Sequence, residues 1–122
     1  MCNNLLLAIT MSGLGEVIKL ANSESLNMEK FYDVLSTSTC SCWALNDYCP
    51  IPGIGPATPA DNNFKPGFSV NLMLKDLTIA LKAIKDTNTL APFGTKSQEN
   101  FKRMVDDKKG ELDFSAIVNF NK

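Results

Sequence analysis

Four thiols are the first residues whose spacing invites chemistry: Cys40-Ser41-Cys42, then Cys49, with Cys2 far upstream. A structural zinc site takes four Cys or His ligands, usually as two close pairs, and the sequence has no His. Only the distant Cys2 remains as a fourth ligand, so no metal site is expected. The missing His also removes Ser-His-Asp and Cys-His nucleophiles, HExxH metal sites and the usual neutral-pH proton shuttle. Gly13-Leu14-Gly15 followed by Ile18 half-matches a dinucleotide fingerprint. That chemistry needs a strand before the glycines and a helix beginning at them. Here the apolar run Leu5 to Met11 precedes them inside one helical segment, so close helix packing is the better account. Lys75 falls on a stripe with Thr78 and Lys82, which reads as a solvated helix face. Asn3 and Asn4 open a buried helix, where a polar pair caps more often than it ligates. Residue chemistry alone supplies no reaction.

The elements that must position these residues follow from length and pattern. A chain of 122 residues and 13.3 kDa is one domain, spanning residues 1–122. It buries about two-thirds of its unfolded surface, enough for a real core. With 12 basic and 13 acidic residues the net charge is -1, which argues against a nucleic-acid or anionic-membrane binder. The run Leu5 to Met11 lacks the basic residue that precedes a signal peptide's apolar stretch, and the first charge is Glu16. Reduced thiols in an intracellular protein, with no membrane partner, are the reading.

Asn3 to Asn22 reads as a helix, so apolar in its first half that burial nearly all round is expected. Asn27 caps a second helix carrying Phe31, Val34 and Leu35 at helical spacing. From about Asp47 to Pro66 the chain holds five of its 6 prolines, which denies both helix and inner strand. Ser69 caps a long helix from Val70 to about Asp86, with Met73, Leu77, Ala80, Leu81 and Ile84 as its core stripe. A fourth helix runs from about Phe93 to Lys108 and stops at Lys108-Lys109-Gly110. Asp113 caps a last short helix. No run alternates long enough to be a strand, so the fold class is all-α.

Several segments together resemble a known family. They are Cys2-Asn3-Asn4-Leu5-Leu6, Gly15-Glu16, Cys42-Trp43, Tyr48-Cys49-Pro50-Ile51-Pro52-Gly53, and Phe68 with Leu72-Met73-Leu74-Lys75-Asp76-Leu77. In this order and spacing they resemble the helical C-terminal domain of 3-hydroxyisobutyrate dehydrogenase, a β-hydroxyacid dehydrogenase, over essentially the whole chain. The resemblance implies a domain of the 6-phosphogluconate dehydrogenase-like type, with two long buried helices. It implies a partner Rossmann domain that binds NAD, a 3-hydroxy acid oxidised to its semialdehyde as in valine breakdown, and a homo-dimer or tetramer. It places the protein in the cytoplasm, or in the mitochondrial matrix of a eukaryote. Asn4 matches the asparagine that orients the substrate. Lys75 matches the lysine that approaches the cofactor, and Phe68 and Asp76 match its supporting neighbours. The family's catalytic lysine stands four residues before the match to Asn4, which is one residue before Met1. The lone chain is therefore expected to be inactive, lacking that base and the Gly-rich phosphate loop. A non-catalytic all-α interaction module, or the remnant of a split gene, is the alternative. One departure stands out: Cys40 takes the place of the glycine before the family's Cys-Trp, which brings the local turn into question.

Overall fold

The computed structural model describes residues 1–120. Its helices are α1 (Cys2–Ser23), α2 (Met28–Ser36), α3 (Trp43–Asn46), α4 (Val70–Asp86) and α5 (Pro92–Asp106). Two 3₁₀ helices, Pro59–Asn62 and Phe114–Asn119, complete the elements. Among the described residues there is no strand; a single antiparallel bridge joins Ser69 to Asp113.

The helix starts follow from local hydrogen bonds. The Asn27 side chain accepts from the Lys30 amide and the Ser69 hydroxyl from the Leu72 amide, each meeting an amide the helix cannot satisfy itself. Pro92 sits in the first turn of α5, where its missing N–H costs nothing. Lys108, in the left-handed region at φ 60°, ends the turn after α5. Within the proline-rich stretch, Thr58 and Asp61 form a capping box that starts the Pro59–Asn62 turn. Asp61 also accepts from the Gly53 amide at 2.6 Å and the Thr58 amide at 2.8 Å. Those two bonds hold its carboxyl below the usual carboxylate range. A stretch that lacks regular structure is thus tied down by one side chain.

The core forms where α1 meets α4, α5 and the Phe114–Asn119 segment, with Met11, Met73, Leu77, Phe101, Met104 and Ile117 fully buried. At the first turn of α5 the backbone passes so close that a Cβ on Gly94 would stand 2.8 Å from Leu5 Cδ1. α1 has the length and apolar composition of a membrane span. Its buried residues Ala8, Met11, Ser12, Gly15, Ile18 and Ala21 face the other elements of the domain. Burial all round does not hold in the first half, where Leu6 lies exposed; in the amphipathic second half Val17 and Leu20 are exposed on the same face. Gly13 is exposed as well, and an added Cβ would meet nothing there, whereas Gly15 is buried.

Cys40 lies exposed in a turn and is absent from the residues with positive φ, so that turn accepts a side chain. All four cysteines are free thiols, with Cys2 and Cys40 exposed and Cys49 fully buried. Burial pushes the Cys49 thiol up, a backbone hydrogen bond at Ile51 offsets part of that, and Asp61 adds to it.

Two outcomes follow from this packing. Phe101→Ala should cost about 3–5 kcal/mol of unfolding free energy, read by denaturant titration, while Phe93→Ala on the surface should stay within about 0.5. In the folded chain, iodoacetamide should label Cys2 and Cys40 well before Cys49, read by peptide mass spectrometry; equal labelling would contradict the buried position.

Candidate functional site

The first turn of α1 and the first half of α4 run side by side, and this brings Asn4 to Asp76. Asn4 Nδ2 donates to Asp76 Oδ2 at 2.5 Å, and Asn3 Nδ2 donates to Asn4 Oδ1 at 2.9 Å. Both ends of the Asn4 amide are thereby fixed in direction. One N–H and one lone pair remain on it for another partner. Lys75 stands beside them with its Nζ 3.9 Å from Asp76 Oδ1, and its side chain is 64% exposed. An ion pair this long and this open holds the ammonium loosely, leaving it available to an anion.

Asn4 opens on a cleft of about 340 Å³ shared with Leu7, Trp43, Tyr48, Gly67, Phe68 and Phe114. Its walls come from α1, from α3, from the end of the proline-rich stretch and from the start of the last 3₁₀ helix. The aromatic residues form a continuous series. Trp43 stacks on Tyr48 at 4.8 Å between ring centroids, Tyr48 on Phe114 at 5.4 Å, and Phe68 meets Phe114 edge-on at 6.1 Å. A second recess of about 460 Å³, lined by Asn3, Leu6, Thr10 and Cys42, adjoins it across Leu7 and Trp43.

Asp113, without solvent exposure, stands behind this wall. Its Oδ2 accepts from Tyr48 Oη at 2.9 Å, the Gly67 amide at 3.0 Å and the Phe68 amide at 3.1 Å. Its Oδ1 accepts from the Ser115 amide at 3.0 Å and from Ser115 Oγ at 2.6 Å. Burial first, then the hydrogen bond to Asp113 and the negative charge of that carboxylate, push the Tyr48 hydroxyl well above its ordinary value. A phenol so held and already donating is a poor proton donor or base. What Tyr48 presents to the cleft is its ring face.

Of the residues singled out from sequence, Asn4 and Phe68 line the cleft, Asp76 bonds to Asn4, and Lys75 sits outward beside Asp76. Trp43, Tyr48 and Phe114 lie in the wall itself. Asp113 looks in sequence like a helix cap, and it is one, through Ser115. Its bonds to Tyr48 and Gly67 span 65 and 46 residues, a separation no local pattern reports.

The raised pKa of Tyr48 has a pH consequence. The folded value lies above the unfolded one, so this contribution to stability is whole below about pH 10 and fades as pH rises beyond it. Folded chain should show no tyrosinate absorbance from Tyr48 at pH 10, and unfolding free energy should fall above that pH. A tyrosine titrating normally in the folded chain, assigned to Tyr48 by Tyr48→Phe, would contradict the buried bond.

The comparisons with known proteins cover almost the whole chain. The family model described as NAD-binding of NADP-dependent 3-hydroxyisobutyrate dehydrogenase matches residues 1–121. The solved structure of 3-hydroxyisobutyrate dehydrogenase from Mycobacterium tuberculosis with L-serine superposes at a TM-score of 0.92 with 39% identity. That match covers 97% of this chain and 40% of that one. The mitochondrial 3-hydroxyisobutyrate dehydrogenase of Drosophila melanogaster is 34% identical over 100% of this chain and 38% of its own length. A Salmonella typhimurium structure, at 19% identity and a TM-score of 0.82, shares the fold. The chain therefore spans about 40% of the length of such relatives. With a family model covering it almost end to end, this chain belongs to the 3-hydroxyisobutyrate dehydrogenase family, as its all-α domain.

Proposed function

We propose that this chain is the substrate-facing half of an NAD-dependent 3-hydroxy acid dehydrogenase, completed by a Rossmann domain that binds most of the cofactor. The observation that carries the reading is the Asn4 amide, fixed by Asp76 and opening on a small, aromatic-walled cleft. A 3-hydroxy acid of the isobutyrate type is small and has one alcohol to be held in line for oxidation. The remaining N–H and lone pair of Asn4 suit that alcohol, which both accepts and donates. Trp43, Tyr48 and Phe68 keep water from the reacting carbon. L-serine, named with the Mycobacterium tuberculosis structure, is itself a small 3-hydroxy acid.

NAD, when bound, supplies the hydride acceptor. The residues present fit the edge of such a site and no more: Lys75 offers an exposed ammonium, loosely held by Asp76, for a cofactor oxygen or phosphate. In the complete reaction the alcohol O–H and the adjacent C–H break and a C=O bond forms. A lysine of the family type, one helical turn before Asn4, would take the proton, and NAD would be the acceptor of the hydride. This chain's part is to orient the alcohol through Asn4 and to keep the pocket dry. The exposed stripe of Leu6, Val17 and Leu20 on α1 supports the further reading that copies assemble as a dimer or tetramer.

The test joins this chain to the nucleotide-binding domain of the Mycobacterium tuberculosis relative, ending in a lysine directly before Met1. The joined enzyme should oxidise 3-hydroxyisobutyrate with NAD, and the 122-residue chain alone should not. Asn4→Ala should lower kcat/KM about 100-fold, roughly 2.7 kcal/mol of lost transition-state stabilisation. Lys75→Ala should raise the KM for NAD more than that for the acid. Turnover indifferent to Asn4→Ala would overturn the reading.

A further inference from the structure

Asp113 is an expensive residue to bury. A carboxylate removed from water must have its oxygens met by donors, or the fold loses several kcal/mol. The structure meets it with five donors, all neutral, and three of the five converge on Oδ2 from the cleft side. Every one of those three belongs to a residue that lines the cleft: Tyr48, Gly67 and Phe68. The other two come from Ser115, next to Phe114 in the same wall. Five bonds accepted and none donated is the pattern of an ionised carboxylate.

The local geometry is tight as well. A Cβ on Gly67 would stand 2.9 Å from Tyr48 Oη, so the glycine lets the hydroxyl reach Asp113. The Asp113 amide donates to the Phe64 carbonyl and the Phe114 amide to the Phe68 carbonyl, both at 2.8 Å, which pins the same loop from the other side. Tyr48 carries the Trp43 ring through their stack; Trp43 is half exposed, and the hydrogen bonds from the Asp47 and Tyr48 amides are to its carbonyl.

We propose that Asp113 is the positioning residue of the cleft: it fixes the Tyr48 ring and the Gly67–Phe68 backbone, and through them Trp43 and the wall that a bound acid meets. The last clause rests on the function proposed above; the positioning does not. Asp113 touches no reacting atom and takes no proton in this role. Its charge acts on the cleft through three neutral donors.

Trp43 is the sole tryptophan, so its emission reports the wall directly in the chain as it stands. Asp113→Asn, Tyr48→Phe and Gly67→Ala should each shift Trp43 emission to the red and speed its quenching by acrylamide, with helical content retained. Phe101→Ala, which weakens the core elsewhere, should leave the Trp43 emission of the folded chain unchanged. Because Asp113→Asn also threatens folding, Tyr48→Phe and Gly67→Ala decide the matter. Wild-type emission and quenching in both would overturn the proposal. In the joined enzyme the same two variants should raise the KM for the acid roughly threefold to tenfold with kcat and the KM for NAD little changed. An equal fall in kcat for both substrates would instead mark a merely structural role. A joined enzyme indifferent to Asn4→Ala would sink the dehydrogenase reading, while the Trp43 spectra would still stand.

Discussion

A charge without solvent survives inside a protein only where the surrounding chain is built to receive it, and Asp113 is the place where this domain meets that demand. Its donors come from the α3–loop junction at Tyr48, from the loop before α4 at Gly67 and Phe68, and from Ser115. Three segments far apart in sequence are thereby drawn to one point. Helices α1, α4 and α5 pack chiefly by apolar burial, since their buried faces are mostly Met, Leu, Ile, Val, Phe and Ala. The non-helical third of the site has no such apolar stripe to place it. It is located by hydrogen bonds to one carboxylate.

That division explains what could be read before any coordinates. Helices announce themselves by period and caps, so Asn27 and Ser69 mark the starts of α2 and α4 as the structure has them. The span of α4 agrees to the residue. α3 has only four residues and leaves no periodic trace, and the Pro59–Asn62 turn hides among prolines. Burial all round in the first half of α1 is where pattern misleads, at Leu6. Apolar residues do not have to be inside, and Leu6, Val17 and Leu20 remain at the surface of this chain.

The site was legible in a different way. Nothing in the periodicity of α1 or α4 distinguishes Asn4 or Lys75 from ordinary polar positions; the family resemblance alone singled them out. The structure then brings Asn4 and Asp76 into direct contact across 72 residues, which neither helix predicts by itself. Asp113 escaped because a cap and a long-range hub look identical in sequence. Its short-range role satisfies the reader, and the long-range one is visible only in three dimensions. The wall it supports therefore belongs to topology: Tyr48 and Phe114 are neighbours only because the chain's end folds back beside the loop before α4.

The central proposal is that Asn4, Phe68, Lys75 and Asp76, backed by the Trp43–Tyr48 wall, form one face of a two-domain active site. The most direct measurement is an amide and indole NMR map of the labelled chain. It would be titrated with the isolated nucleotide-binding domain of a relative, loaded with NAD and 3-hydroxyisobutyrate. The account predicts shifts concentrated at Asn4, Phe68, Lys75, Asp76 and the Trp43 indole, with α2 and the end of α5 silent. Shifts confined to other surfaces, or none at saturating partner, would contradict it.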